Sequence, residues 1–336
     1  MTPTRLLAAL SLCLLAGPLL AAEPPHPQCL APASPGGSFD LTCQILRKGL
    51  EQAGLLKQPM AVSYYPGGVG AVAYNAVVTQ RPSDPNTLVV WSSGSLMNLA
   101  LGKFGRLDEN AVRWLAAIGA SYGAIAVRSD SPFHSLGDFL AALKKDPANL
   151  LIGSGGTLGS QDWVQVALLA KMAGIDPRQM RYVALEGGGE IATALLHGHL
   201  QAASTDISDS MPHIRSGAMR ILAVFSERRL DGPDMVGVPT AREQGYDLVW
   251  PVVRGLYLGP EVSDSQYAWW KDRLDALLAN EDFNQLRSQE GMFPFALTGS
   301  ALDAYVKRQV ALYKALARDL ELLPPTTAPS GIIQGP

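Results

Sequence analysis

Apolar residues along this chain fall into short, β-rich runs separated by segments whose apolar positions recur at helical spacing. The runs are MAVSYY from Met60, TLVVW from Thr87, AIAVR from Ala124, NLLIGS from Asn149, RYVAL from Arg181 and RILAVFS from Arg220. A first strand is expected at Gln28–Ala33. Helices are expected at Leu41–Ala53, Leu136–Lys145, Trp163–Ala173 and Ile191–His197. Strands interleaved with helices predict α/β architecture with mostly parallel sheets. Near the end, Leu302, Val306, Val310, Tyr313 and Leu316 form one apolar stripe. Ser300 is the expected cap of that helix, with Asp303 three residues on. Beyond Leu323 the Pro/Gly/Ser-rich PPTTAPSGIIQGP reads as a loose tail.

The other end departs from this alternation. Arg5, an apolar run from Leu6 to Leu20 and small residues before Glu23 read as a secretory signal peptide cleaved after Ala22. Cys13 lies inside that run behind the bulky Leu12, so a lipidated cysteine is not expected there. Export leaves two cysteines, Cys29 and Cys43, and an oxidising compartment predicts that they pair. Such a bridge would clamp the loop between them, APASPGGSFDLT, and stabilise the fold by about 3 kcal/mol.

One local pattern recurs. APASPGGSFD, YYPGGVGAVA, WSSGSLMN, IGSGGTLGSQD and LEGGGEIA each place small residues after an apolar stretch and before an expected helix. In open α/β sheets such turns lie at the carboxyl ends of strands, where ligands bind. Glycine leaves backbone N–H groups uncovered, and helix starts add partial positive charge. Five such turns meeting at one cleft would form a nest of donors for an anion. The plainer reading of any single one is a tight turn.

Composition and motifs then remove several alternatives. At 336 residues the chain can bury two cores, and its net charge of −3, without basic runs, argues against nucleic acid and membrane surfaces as partners. Gly68, Gly70 and Ala73 match a dinucleotide fingerprint, but the next strand ends in Trp91, Ser92, Ser93 and Gly94 where an acidic residue is needed. No nucleophile elbow accompanies the serines at Ser92–Ser95, and no phosphate-binding P-loop occurs. His197 and His199 lack the spacing of a helical metal pair and are expected at a helix end on the surface; His134 and His213 are expected to be solvated. No metal and no cofactor is anticipated. Asp40, Asp162 and Glu190 read as partners of helix N-termini. Asp206, after LQAAST, is expected to look into the cleft. Buried there it needs a donor: a ligand hydroxyl, an ordered water or a metal ion.

Taken in order, APASPGGSFDLTC, YPGGVGAVAYNAVV, GSGGTLGSQDW, YVALEGGGEIATALL, LAVFSERR and VPTAREQGYDLVWPVVRGLYLGP make the chain resemble the tripartite tricarboxylate transporter receptors, from Cys29 to Leu322. The resemblance is close to the branch that binds citrate or tricarballylate. It implies a two-lobed α/β periplasmic-binding-protein fold of the Venus-flytrap, type II kind, with parallel-rich sheets. By analogy one lobe holds residues 23–119 and 226–323, the other residues 120–225. The resemblance implies a monomeric, periplasmic, non-enzymatic protein that delivers a small carboxylate to a membrane permease. A receptor for a sensor kinase, or an enzyme on this fold with Asp206 or Asp162 as base, are the alternatives. The ligand contacts implied by the matched loops are Ser34, Gly36, Gly37, Ser38, Phe39 and Asp40 from the first. The second and third loops bring Tyr65, Gly68, Ser93, Gly94 and Ser95. Across the cleft stand Ser154, Gly156, Thr157, Ser160, Gln161 and Asp162, then Gly188 and Asp206. Arg254, in VVRGLY, is either a countercharge for the ligand or one half of an ion pair between lobes.

Overall fold

The computed structural model describes residues 22–324, so the expectations for the signal peptide and nearly all of the tail lie outside the described residues. Strand β1 (Gln28–Ala31) leads into α1 (Ser38–Gln52), β2 (Ala61–Tyr64) into α2 (Ala71–Gln80), and β3 (Thr87–Ser92) into α3 (Ser93–Ala100). A long strand, β4 (Arg113–Arg128), precedes α4 (Leu136–Lys145), β5 (Ile152–Gly155), α5 (Gln161–Met172), β6 (Tyr182–Leu185) and α6 (Gly188–Leu196). Next come β7 (Ala202–Asp206), α7 (Ile207–Arg215) and β8 (Met219–Val224). The chain ends in β9 (Pro251–Leu258), α8 (Asp264–Leu278), α9 (Glu281–Gln289), β10 (Leu297–Thr298) and α10 (Gly299–Asp319).

The strands follow the order β2-β1-β3-β9-β4-β7-β5-β6, with β8 and β10 also on β4. From Arg113 to Tyr122, β4 pairs with β9; from Gly123 onward it pairs with β7 and β8. One strand of 16 residues therefore serves two groups of strands and joins two α/β lobes. The β1–β2, β1–β3, β5–β6 and β5–β7 pairings are parallel, as crossover helices require. Every pairing of β4 and β9 is antiparallel, so the sheets are mixed where the sequence suggested mostly parallel ones. These two strands join the lobes: β9 runs against the parallel strands of the first group, and β4 against those of the second.

Apolar faces close the layers as the periodicity anticipates. Trp91, Trp114, Tyr74 and Tyr257 meet on one face of the first strand group, with Trp91 edge-on to Trp114 at 5.5 Å between centroids. On the opposite face α1 buries Ile45, Leu46 and Leu50 against Trp270 and Leu274 of α8. Along α10 the buried stripe is Leu302, Val306, Val310 and Tyr313, and Ala317 is buried where Leu316 was expected. Ser300 does not cap this helix. Thr298 holds the cap position because it is still extended and pairs with Ala116 of β4, and the helix turns at Gly299. Asp303 instead pairs with Lys307 one turn on, at 2.8 Å. Cys29 and Cys43 are bonded, with Cα atoms 5.5 Å apart, tying β1 to α1 across the first Gly-rich loop.

Candidate functional site

All five Gly-rich turns follow a strand and open onto one cleft of about 900 Å³ between the lobes. The first lobe supplies Ser34, Gly36, Gly37, Ser38, Phe39, Val69, Ser92 and Gly94, with Arg254 from β9; the second supplies Gly155, Ser160, Gln161, Asp162, Gly188 and Asp206. The approach is close. A Cβ on Gly37 would lie 3.8 Å from the backbone nitrogens of both Gly188 and Gly189, so the starts of α1 and α6 face each other. First-turn N–H groups have no partner within their own helix. Two helix N-termini and their partial positive charge thus converge on one volume, the arrangement that binds a carboxylate.

Two glycines make this geometry available. Gly36 sits at φ +92°, in the left-handed region that sets the turn into α1. At Gly188 a Cβ would lie 2.2 Å from Cγ of Asp209, so only glycine lets the start of α6 pass over the Asp209 carboxyl.

The remaining expected contacts stand back from this cleft. Gly68, Gly156 and Thr157 line an adjoining hollow of about 690 Å³, and Tyr65 lies on the outer surface near Ser63. Ser93 accepts from the Val253 N–H at 2.9 Å, Ser95 closes a capping box with Ser92, and Ser154 turns to Ser160. Asp40 accepts from Gly36 N–H, Gln44 and Tyr64, which makes it a brace for the first turn. In the same way Asp162 accepts from Gly155 N–H and Glu190 from Glu186 N–H. The reading of all three as partners of their own helix starts agrees with these bonds.

Asp206 faces the cleft but takes its donors from the protein. Its Oδ2 accepts from Arg254 Nη2 at 2.6 Å, and its Oδ1 accepts from the Ser208 N–H at 2.8 Å and hydroxyl at 2.6 Å. A ligand hydroxyl, water or metal is not needed to satisfy it. Of the two expectations for Arg254, the ion pair is the one seen: Arg254 and Asp206 are buried and join β9 to β7.

Four titratable cleft residues escaped the sequence reading. Asp209 stands three residues after Asp206, one turn along α7 and on the same face; the STDISD stretch held that signal. His197 and His199 are exposed as expected, but they line the cleft, their rings stacked with centroids 6.2 Å apart. His213 is half-buried in the cleft wall, a correction to its expected solvation. No signal in the sequence placed these histidines there. Among the described residues no group of three or more His, Cys, Asp or Glu is arranged to hold a metal ion.

The electrostatics are acidic inside a ring of helix starts. Burial pushes the Asp162 carboxyl up to about 7, against the N–H bond from Gly155 that lowers it. Burial and the charge of Asp206 push Asp209 up to about 6, while Arg254 and Ser38 pull it down. Three buried atoms of cleft side chains lack a hydrogen-bond partner: Gln161 Oε1, Asp209 Oδ1 and Arg254 Nε.

Two α/β lobes joined through long shared strands, with Gly-rich turns facing across the gap, define a solute-binding protein of the periplasmic type. Residues 45–322 match the tripartite tricarboxylate transporter family receptor, and the chain belongs to that family. It is 28% identical over 255 residues to Protein BugT of Bordetella pertussis, covering 73% of this chain and 76% of BugT. The periplasmic binding protein BugD superposes with a TM-score of 0.78 at 19% identity, over 89% of this chain and 99% of BugD. MatC from Rhodopseudomonas palustris, solved with bound malate, superposes with a TM-score of 0.74 at 20% identity, over 87% and 98% of the two chains. Members of the family work in the periplasm, and no helix among the described residues is long and apolar enough to cross a membrane.

Proposed function

We propose that the protein captures a small di- or tricarboxylate, citrate-like in size, between its lobes and delivers it to the membrane permease of a tripartite transporter. The observation that carries this reading is the facing pair of helix starts, α1 at Gly37 and α6 at Gly188, across the cleft. The malate bound to MatC supports the ligand class. Residues 120–225 form the second lobe in this reading, the remainder the first, and the change of β4 partners near Gly123 supports a division there. The contacts are Gly37, Ser38, Phe39, Gly94, Ser160 and Gly188, with Ser34, Gly36, Asp40 and the buried ion pair shaping the turns around them. The protein acts as a monomer at a permease and not at a sensor kinase.

A thermal-shift screen of di- and tricarboxylates on the protein lacking residues 1–22 tests this, because a ligand that binds only the folded state raises Tm with concentration. A dose-dependent rise with at least one carboxylate is expected; no rise with any of them would reject the reading. Catalysis is the second reading, and one observation favours it: a cleft carboxyl, Asp162, held at about 7. Ligand recovered unaltered after prolonged incubation is expected, and enzyme-dependent product would promote that alternative.

A further inference from the structure

We infer that the turn at residues 156–159 is a latch between the lobes and not a ligand contact, with Val69, Leu101 and Lys103 of the first lobe as its catch. The inference rests on the two-lobe reading and adds to it what holds the lobes shut. Of the five Gly-rich turns, GSGGTLGSQD gives the cleft only its ends. Gly155 and Ser160 line the cleft, and the four residues between them do not. Those four meet the first lobe instead. The second lobe fixes them from behind: the Gly156 N–H donates to the Leu185 carbonyl at 2.8 Å, and the Gly156 carbonyl accepts from the Tyr182 hydroxyl at 2.8 Å.

The two glycines of the turn are seats for first-lobe side chains. A Cβ on Gly156 would lie 2.9 Å from Val69 Cγ2, and one on Gly159 would lie 3.1 Å from Leu322 Cδ1 and 3.3 Å from Leu101 Cδ1. At the solvent edge Lys103 Nζ donates to the Thr157 hydroxyl at 2.9 Å and to the Leu158 carbonyl at 2.7 Å. Val69 is held in place under strain. It is β-branched, yet it stands at φ 54° and ψ 43°, the left-handed region that such residues avoid. The Ser95 hydroxyl donates to the Val69 carbonyl and the Asn98 amide to the Gly68 carbonyl, each at 3.1 Å, so α3 pins this turn. Glycine would meet the same backbone demand without strain. What valine adds is a side chain that reaches Gly156, and strain of this kind gathers at clamps and switches. Leu101 and Lys103 follow α3 at its far end, about 12 Å along the helix from Ser93, which is bonded to β9. The catch therefore grips the second lobe away from the strands that join the lobes. Every contact runs from protein to protein, so the latch needs nothing from a ligand. It sets the population of the closed form, which scales the apparent affinity.

The test is small-angle X-ray scattering of the ligand-free protein lacking residues 1–22, beside Lys103→Met and Val69→Gly. Wild type is expected to match the curve of the closed lobes described above, and both variants to show a larger radius of gyration. Val69→Gly should keep its melting temperature, because glycine suits the backbone there, so its opening cannot be a failure to fold. With the tightest binder among succinate, malate and citrate, Lys103→Met should weaken binding about tenfold. Faster dissociation should carry that loss, with association changed less than about threefold. Variants that scatter like wild type, or a wild type already as open as they are, overturn the inference and leave carboxylate capture standing. If none of the three carboxylates binds, the carboxylate reading falls, and the scattering still decides the latch by itself.

Discussion

Asp162 and Asp209 hold protons that an unfolded chain would release. Their carboxyls sit at about 7 and about 6 in the fold, above the ordinary value of about 3.9 for an unfolded aspartate. Between about pH 4 and pH 7 the native state therefore binds more protons than the unfolded state, and their contribution to stability falls as pH rises across that window. The neighbours facing them, Asp206, Arg254, Glu186, Glu190 and the three cleft histidines, are the same in wild type and variant, so the difference between the two isolates Asp162. Asp162→Asn is expected to raise the melting temperature of the ligand-free protein at pH 8 by several degrees and to leave it nearly unchanged at about pH 4. Equal effects at both pH values would contradict this. At Gly36, whose Cβ position is open but whose φ is +92°, valine should cost the fold only about 1–2 kcal/mol. The turn must then reorient, and calorimetry should show affinity lowered about tenfold or more. Unchanged affinity would mean that the turn serves the fold alone.

The recurring element is a strand, a Gly-rich turn and a helix start, and it was legible in the sequence because composition and periodicity change together at each turn. APASPGGSFD and LEGGGEIA both contain observed helix starts, Ser38 and Gly188, three residues ahead of the expected Leu41 and Ile191. The first half of β4 and all of β9 were not read as strands. WLAAIGASYG alternates little and is rich in small residues, and the Arg254 that interrupts VVRGLY looks like a surface residue until its partner 48 positions away is known. Site residues contributed as backbone, such as Gly37 and Gly188, leave a compositional trace. Asp209 left only its spacing from Asp206, and the histidines after α6 and on α7 left no trace, because which face of a helix meets the cleft depends on how the lobes dock. The disulfide belongs to this scale too. Replacing both Cys29 and Cys43 by serine should cost about 3 kcal/mol for the short loop they close. Urea unfolding checks the value, and stability equal to wild type would show that the bridge constrains nothing.

Across the whole molecule the two lobes are held by shared strands and by one buried ion pair. Arg254 stands on β9 opposite Gly119 of β4, and Asp206 on β7 opposite Gly123, so the pair bridges the point where β4 changes partners. Arg254→Met would leave Asp206 buried and uncompensated, at a cost of about 3–5 kcal/mol. A melting temperature close to wild type would show that the lobes do not depend on the pair. Carboxylate capture itself is tested most directly by calorimetric titration of the protein lacking residues 1–22 with the carboxylates that shift its melting temperature. The account predicts one ligand per chain, with binding weakened about tenfold or more in Gly36→Val while that variant remains folded. Saturable binding that survives Gly36→Val undiminished, or a stoichiometry that the single cleft cannot accommodate, would contradict it.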